Sequence, residues 1–289
     1  AYFATALQRL KKQYPNNLTV AAGDLVSASP LVSALFRDEL TIKFLNSVGL
    51  QASSVGNHEF DHGTIELERL QKGGCAPQGC EPGEPFTGAA YQYLAANVTN
   101  ADGQLPPGTV PWKMFEAGGK KIAVIGTVTP ETATIVAPEG VRGYSFGDEA
   151  DAINKYVPEI KAAGAQAIVA TMHDGGSQKG SGEAEPNACQ DVSAPVPDLA
   201  KRIDPAVTSI VTAHSHQAYN CTIDGRTVTQ AASYGRLITD ITLDFSGPAA
   251  KATAVNRVVR RDIPADAATQ RLVEFYEKEA KPRADRVIE

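Results

Sequence analysis

The sequence predicts an α/β fold, and three observations carry that reading. Short apolar runs rich in β-branched residues alternate with segments of helical periodicity. Four of those runs end at a loop that opens on a metal-ligand type of residue. With 289 residues, 43% of them hydrophobic, the chain is long enough for one large α/β domain or two small ones.

The elements follow in order. Ala1 to Gln13 reads as a helix, with Phe3, Leu7 and Leu10 at i, i+4 and i+7. It leads straight into a buried strand, so a segment upstream of Ala1 is expected, and a processed signal peptide would account for the missing Met. Leu18 to Ala22 is a strand running into Gly23-Asp24, and Leu50 to Val55 is a second running into Gly56-Asn57-His58-Glu59. Gly73 to Gly88, rich in Gly, Pro and Cys, is an excursion read as a surface loop. Trp112, the single Trp, belongs to a strand by its neighbours, and Lys120 to Gly126 reads as a buried strand of a second sheet. Ala165 to Thr171 runs, past Met172, into His173-Asp174-Gly175-Gly176. Lys179 to Cys189 is a polar connection. Val207 to Thr212 runs into His214-Ser215-His216. Residues 1–260 make up the domain, and 261–289 a charged helical stretch that either packs on it or leads toward a further C-terminal domain.

Charge and cysteines narrow the function classes. Lys and Arg number 27 against 33 Asp and Glu, a net charge of −6, which argues against nucleic-acid binding through bulk charge. No run approaches the ~18 consecutive apolar residues of a membrane span. Cys75 and Cys80 flank a short Pro/Gly loop, which suggests one disulfide there and, by elimination, Cys189–Cys221. A four-Cys zinc site lacks its usual C-x2-C spacing, and four free thiols in a cytosolic protein are the other alternative. The disulfide reading implies an oxidising compartment, periplasmic or secreted.

Ligands in open α/β sheets gather beyond the carboxyl ends of the strands. His58, His173, His214 and His216 all lie at such ends, and the fifth histidine, His62, shares a loop with His58. Any one of them alone reads as a capping or surface residue. Four together, joined by Asp24 and Asn57, read as a site for a divalent ion held by imidazole nitrogen, carboxylate and amide oxygen.

Gly23-Asp24-Leu-Val-Ser-Ala-Ser-Pro30, Gly56-Asn-His-Glu-Phe-Asp61, His173, His214-Ser-His216 and Ala231-Ala-Ser-Tyr-Gly-Arg236 stand in an order that resembles the calcineurin-like metallophosphoesterases, in their 5′-nucleotidase branch. The resemblance spans nearly the whole chain. It implies a four-layer α-β-β-α sandwich of two mixed sheets, and hydrolysis of a phosphate ester, most naturally a nucleotide, at a site with two divalent ions of Zn, Mn, Mg or Fe. It implies that Asp24 bridges the ions, that Asn57, His173 and His214 complete one, and that His216 serves the other. It makes His58 catalytic and oriented by Asp61, with Asn57 and His58 meeting the substrate. Glu59 receives no role, and His62 is read as a local loop residue. The family's first motif, Asp-x-His, does not precede Asp24 in this sequence, and its nucleoside-holding C-terminal domain does not follow. The expectation is that both lie outside this chain; a single-metal or inactive variant is the alternative. Other hydrolases of the superfamily, acting on cyclic nucleotides, nucleotide sugars or thiosulfate esters, and a non-catalytic metal- or nucleotide-binding domain are the rival functions.

Overall fold

The computed structural model describes residues 1–179 and 184–285. The first half of the chain forms α1 (Tyr2–Gln13), β1 (Val20–Ala21), α2 (Leu31–Ala34), α3 (Glu39–Ser47), β2 (Ala52–Ser54), a 3-10 turn at His58–Phe60, α4 (Gly63–Lys72), β3 (Gln92–Leu94), β4 (Val98–Asn100), β5 (Thr109–Val110), β6 (Trp112–Ala117) and β7 (Lys120–Val128). The second half forms α5 (Thr132–Ile135), β8 (Tyr144–Phe146), α6 (Glu149–Ala162), β9 (Ala167–His173), α7 (Val196–Arg202), β10 (Ser209–Thr212), β11 (Ala218–Ile223), β12 (Arg226–Ala231), β13 (Leu237–Asp244), β14 (Lys251–Val258) and α8 (Ala267–Ala284).

Two sheets pack face to face between layers of helices. One orders β1-β2-β3-β5; the other orders β11-β12-β10-β9-β7-β6. The six-stranded sheet is mixed as expected: β7, β9, β10 and β12 are parallel, with β6 and β11 antiparallel at its edges. In the four-stranded sheet every described pair is parallel. The physical reason is that each of these strands reaches the next through a crossover rather than a hairpin, and crossovers produce parallel neighbours.

Apolar side chains explain the layering. Ala52, Leu94 and Val124 meet between the sheets, fully buried. Ile153, Val157 and Ile160 of α6 and Leu199 of α7 cover the outer face of the six-stranded sheet, against Ile168, Ala170 and Ile210. Ile42 of α3 and Leu67 and Leu70 of α4 cover the other sheet, against Tyr91 and Tyr93. Each such side chain contributes roughly 1.5–3 kcal/mol on burial, so these two clusters hold the strand ends in a fixed relation. Trp112 sits in β6 and packs at the edge of the α6 cluster, its Nε1 donating to Glu159.

Cys75–Cys80 and Cys189–Cys221 are both bonded. The Gly73–Gly88 excursion lies against α8, with Phe275 beside Gly83 and Arg283 paired to Glu81. Helix α8 itself docks on the domain: Tyr276, 1% exposed, stacks edge-on against Phe36 at 5.0 Å and accepts from Lys43 Nζ at 3.0 Å. Of the Lys179–Cys189 connection, residues 180–183 fall outside the described residues. No helix among the described residues is long and apolar enough to cross a membrane.

Strand β1 pairs only with β2, and β13 only with β14, among the described strands. Leu18 to Val20 and Asp240 to Leu243 line an apolar cavity of about 380 Å³, covered by Leu7 and Leu10 of α1. It is a slot between two strands that each lack a second partner.

Candidate metal centre

Strands β1, β2, β9 and β10 deliver their following loops to one place. Asp24, His173 and His214 offer ligand atoms that lie within 4.8 Å of one another. His173 is fully buried, and its Nε2 stands 3.1 Å from Asp24 Oδ2 and 3.2 Å from Asn57 Oδ1. Its Nδ1 lies 2.6 Å from the carbonyl of Ala22. A ring held to a backbone carbonyl through one nitrogen presents the other as a ligand, which is how metal-binding imidazoles are oriented. The His214 ring meets the His173 ring edge-on at 5.2 Å. This donor set of two imidazoles, a carboxylate and an amide oxygen fits a divalent transition ion or Mg²⁺-type site shared between N and O ligands.

The backbone bends sharply to make this possible. Asp24, His214 and His216 all adopt left-handed φ, at +55°, +65° and +55°. Non-glycine residues there cost of order 1–3 kcal/mol each, strain that concentrates at functional sites. Gly56 permits a close approach: a Cβ there would clash with Asp24 Oδ1 and lie 2.8 Å from His173 Cε1.

Glu59 ties the two loops together. It is 2% exposed, and its carboxylate accepts from the N–H groups of Asp24 (2.9 Å), Leu25 (2.8 Å) and Gly56 (2.5 Å). Burial and the neighbouring Asp24 charge push its carboxyl up to about 7, against the pull of the Gly56 and Leu25 N–H groups. The sequence reading left this residue without a role. Its signal was available only as a Glu directly after Asn57-His58, since Asp24 and Leu25 come from a loop 35 and 34 residues earlier.

His58 and Asp61 form the expected pair, Nδ1 to Oδ2 at 2.6 Å, across the 3-10 turn. Burial alone would lower the His58 imidazole, but the Asp61 hydrogen bond and the charges of Asp24, Asp61 and Glu59 raise it above its ordinary value. The His58 N–H donates to Asp24 Oδ1 at 3.1 Å, so the pair is anchored to the same carboxylate as His173. Burial would raise Asp24, yet His173 and the His58 N–H hold it low. His214 is lowered by burial and by the nearby His173 charge.

The structure therefore brings together Asp24, Asn57, His58, Asp61, His173 and His214. His216 stands outside the Asp24–His173–His214 group; it is exposed, with its ring 5.9 Å from that of Tyr234. His62 is exposed at the start of α4. Arg236 hydrogen-bonds the carbonyl and hydroxyl of Ser233.

The family model for the calcineurin-like phosphoesterases matches residues 1–218. The chain belongs to that family. Among its relatives, Endonuclease YhcR of Bacillus subtilis is 33% identical over 99% of the chain, and Snake venom 5′-nucleotidase of Gloydius brevicauda is 28% identical over 60%. The chain spans only 23% of the first relative and 27% of the second. Its fold is that of the 5′-nucleotidase precursor from Thermus thermophilus, with a TM-score of 0.75 at 23% identity, over 99% of this chain and 54% of that one.

Proposed function

We propose that this phosphoesterase domain hydrolyses a phosphate ester of the 5′-nucleotide class, through an ion held by Asp24, Asn57, His173 and His214 and a His58–Asp61 pair. The observation that carries this reading is the convergence of Asp24, His173 and His214 with Asn57 and His58 on one carboxylate. When bound, divalent ions here supply charge neutralisation at the phosphoryl oxygens and activation of water. A chain of net charge −6 needs that local positive centre to hold an anionic substrate.

The chain's own residues do the rest. Asp24 has two oxygens, one toward His173 and one toward the His58 N–H, which suits it to bridging. Asn57 adds a neutral oxygen and so leaves more positive charge for the substrate. Asp61 occupies His58 Nδ1, so the proton that His58 carries toward a leaving oxygen is on Nε2. His216 belongs to a second ion in this reading. The two disulfides and the venom relative support a periplasmic or secreted setting.

The test is phosphate release from a nucleoside 5′-monophosphate with Mn²⁺ or Zn²⁺, by this chain and by the longer protein. Hydrolysis that EDTA abolishes and that His58→Asn lowers by roughly 10²–10⁴-fold supports the reading. Metal and nucleotide binding without hydrolysis in the longer protein supports a binding domain instead.

A further inference from the structure

Ser215 stands between His214 and His216, and both of those residues hold left-handed backbone, at φ +65° and +55°. No backbone–backbone hydrogen bond among the described residues involves either histidine. Strained backbone of this kind persists only where its surroundings over-determine it. Here the restraints come from the residues on either side of His214. The Ala213 N–H donates to the carbonyl of Asp174 at 3.0 Å, and the Ser215 N–H turns back to the carbonyl of Ala213 at 2.7 Å. The Ser215 hydroxyl reaches further. Its Oγ lies 2.8 Å from the carbonyl of Gly176, in the loop after β9, and 3.0 Å from Gln230 Oε1, on β12. Gly175 leaves room for it, since a Cβ there would clash with Ser215 Oγ and with the Ala213 carbonyl.

One hydroxyl proton cannot serve two acceptors. Gln230 is 1% exposed, and its Nε2 is buried with no partner among the described residues. Turning the amide by half a rotation answers both: Nε2 donates to Ser215 Oγ, and the hydroxyl donates to Gly176. The amide oxygen then takes the unpartnered place, and a buried acceptor without a donor is tolerated more readily than a buried N–H. The result is a chain of hydrogen bonds, from Gln230 to Ser215 to Gly176. It runs from β12 through the His214–His216 loop to the loop that follows His173.

We propose that Ser215 is a positioning residue of the metal centre. Its hydroxyl, backed by Gln230, holds His214 in the strained conformation that sets its ring beside His173, and Ser215 is not itself a ligand. The role presupposes the ion of the proposed function. Without the hydroxyl the two left-handed residues relax, His214 leaves its place, and a bound ion must rebuild the loop. The strain released offsets the lost hydrogen bonds, so the cost falls on metal affinity rather than on folding.

Calorimetric titration of the full chain with Mn²⁺, beside thermal unfolding in EDTA, tests this. Ser215→Ala should weaken Mn²⁺ binding roughly tenfold, while the metal-free Tm stays within about 3 °C of wild type. The visible absorption of the Co²⁺-loaded protein should change in the same variant, because His214 no longer sits in its original geometry. Gln230→Met should act in the same direction, and the double variant should bind no more weakly than Ser215→Ala alone. Unchanged Mn²⁺ affinity in Ser215→Ala, with or without a lower Tm, an unchanged Co²⁺ spectrum, or additive losses in the double variant would each overturn the proposal and leave the metal centre standing. A wild type that binds no ion would overturn the metal centre and this role with it. Should Ser215→Ala fail to fold, Gln230→Met carries the test, and unchanged affinity there overturns the proposal.

Discussion

Replacing Glu59 by alanine removes the single acceptor that three backbone N–H groups share. Those groups belong to Asp24, Leu25 and Gly56, at 2.9, 2.8 and 2.5 Å. Hydrogen bonds to a charged acceptor contribute about 1.5–3 kcal/mol each. The three are not independent, and water entering the vacated space recovers part of the loss. A cost of about 3–5 kcal/mol follows, of the size seen when a buried charged network is broken. That is a large fraction of a total stability of about 5–15 kcal/mol, and it corresponds to a fall of roughly 6–20 °C in Tm. The assay is denaturant unfolding in EDTA, so that metal binding does not contribute. The sign of the pH dependence gives a second check. Glu59 titrates at about 7 in the folded protein against an ordinary value of 4.5. Between those values the folded state holds the extra proton, so metal-free wild-type stability should decline as pH rises from about 5 to 7. Glu59→Gln cannot ionise and should flatten that decline. An alanine variant losing less than about 1 kcal/mol, or the same pH slope in Glu59→Gln and wild type, would refute the anchoring role.

Gly56→Ala should cost about 1–3 kcal/mol and weaken metal binding at least tenfold by calorimetry, since its Cβ would clash with Asp24 Oδ1. Asp61→Asn should lower the His58 pKa in the metal-free protein, read by NMR. The stability that this pair adds is complete below the ordinary value of 6.5 and is lost as pH rises through the raised folded value, so the variant should lose that dependence. Tyr276→Ala should destabilise by about 3–5 kcal/mol and expose α8 to proteolysis, because the ring is buried against Phe36. An α8 as resistant as wild type would mean that the helix docks by other contacts.

Much of this architecture is legible in the sequence because the candidate ligands mark the strand ends. Asp24, Asn57, His173 and His214 follow apolar runs, and parallel strands bring such ends together. His58 and Asp61 are three residues apart, so their contact is local. The rest depends on contacts between distant segments. Glu59 receives its role from the N–H groups of Asp24 and Leu25, and nothing in its own neighbourhood announces them. The expected strand Leu18–Ala22 shortens to Val20–Ala21, since β1 has a described partner on one side only. The C-terminal helix gave no sign of where it would dock, because its partner Phe36 lies 240 residues earlier in the chain.

The central claim is that Asp24, His173 and His214 hold one divalent ion. Its most direct test is metal content by elemental analysis, after loading with Mn²⁺ or Zn²⁺ and dialysis, in wild type and in His173→Ala, His214→Ala and Asp24→Asn. The account predicts at least one bound equivalent in the wild type and its loss in each variant, with His58→Asn unaffected. Unchanged stoichiometry in the first three variants, or loss of metal in His58→Asn, would contradict it.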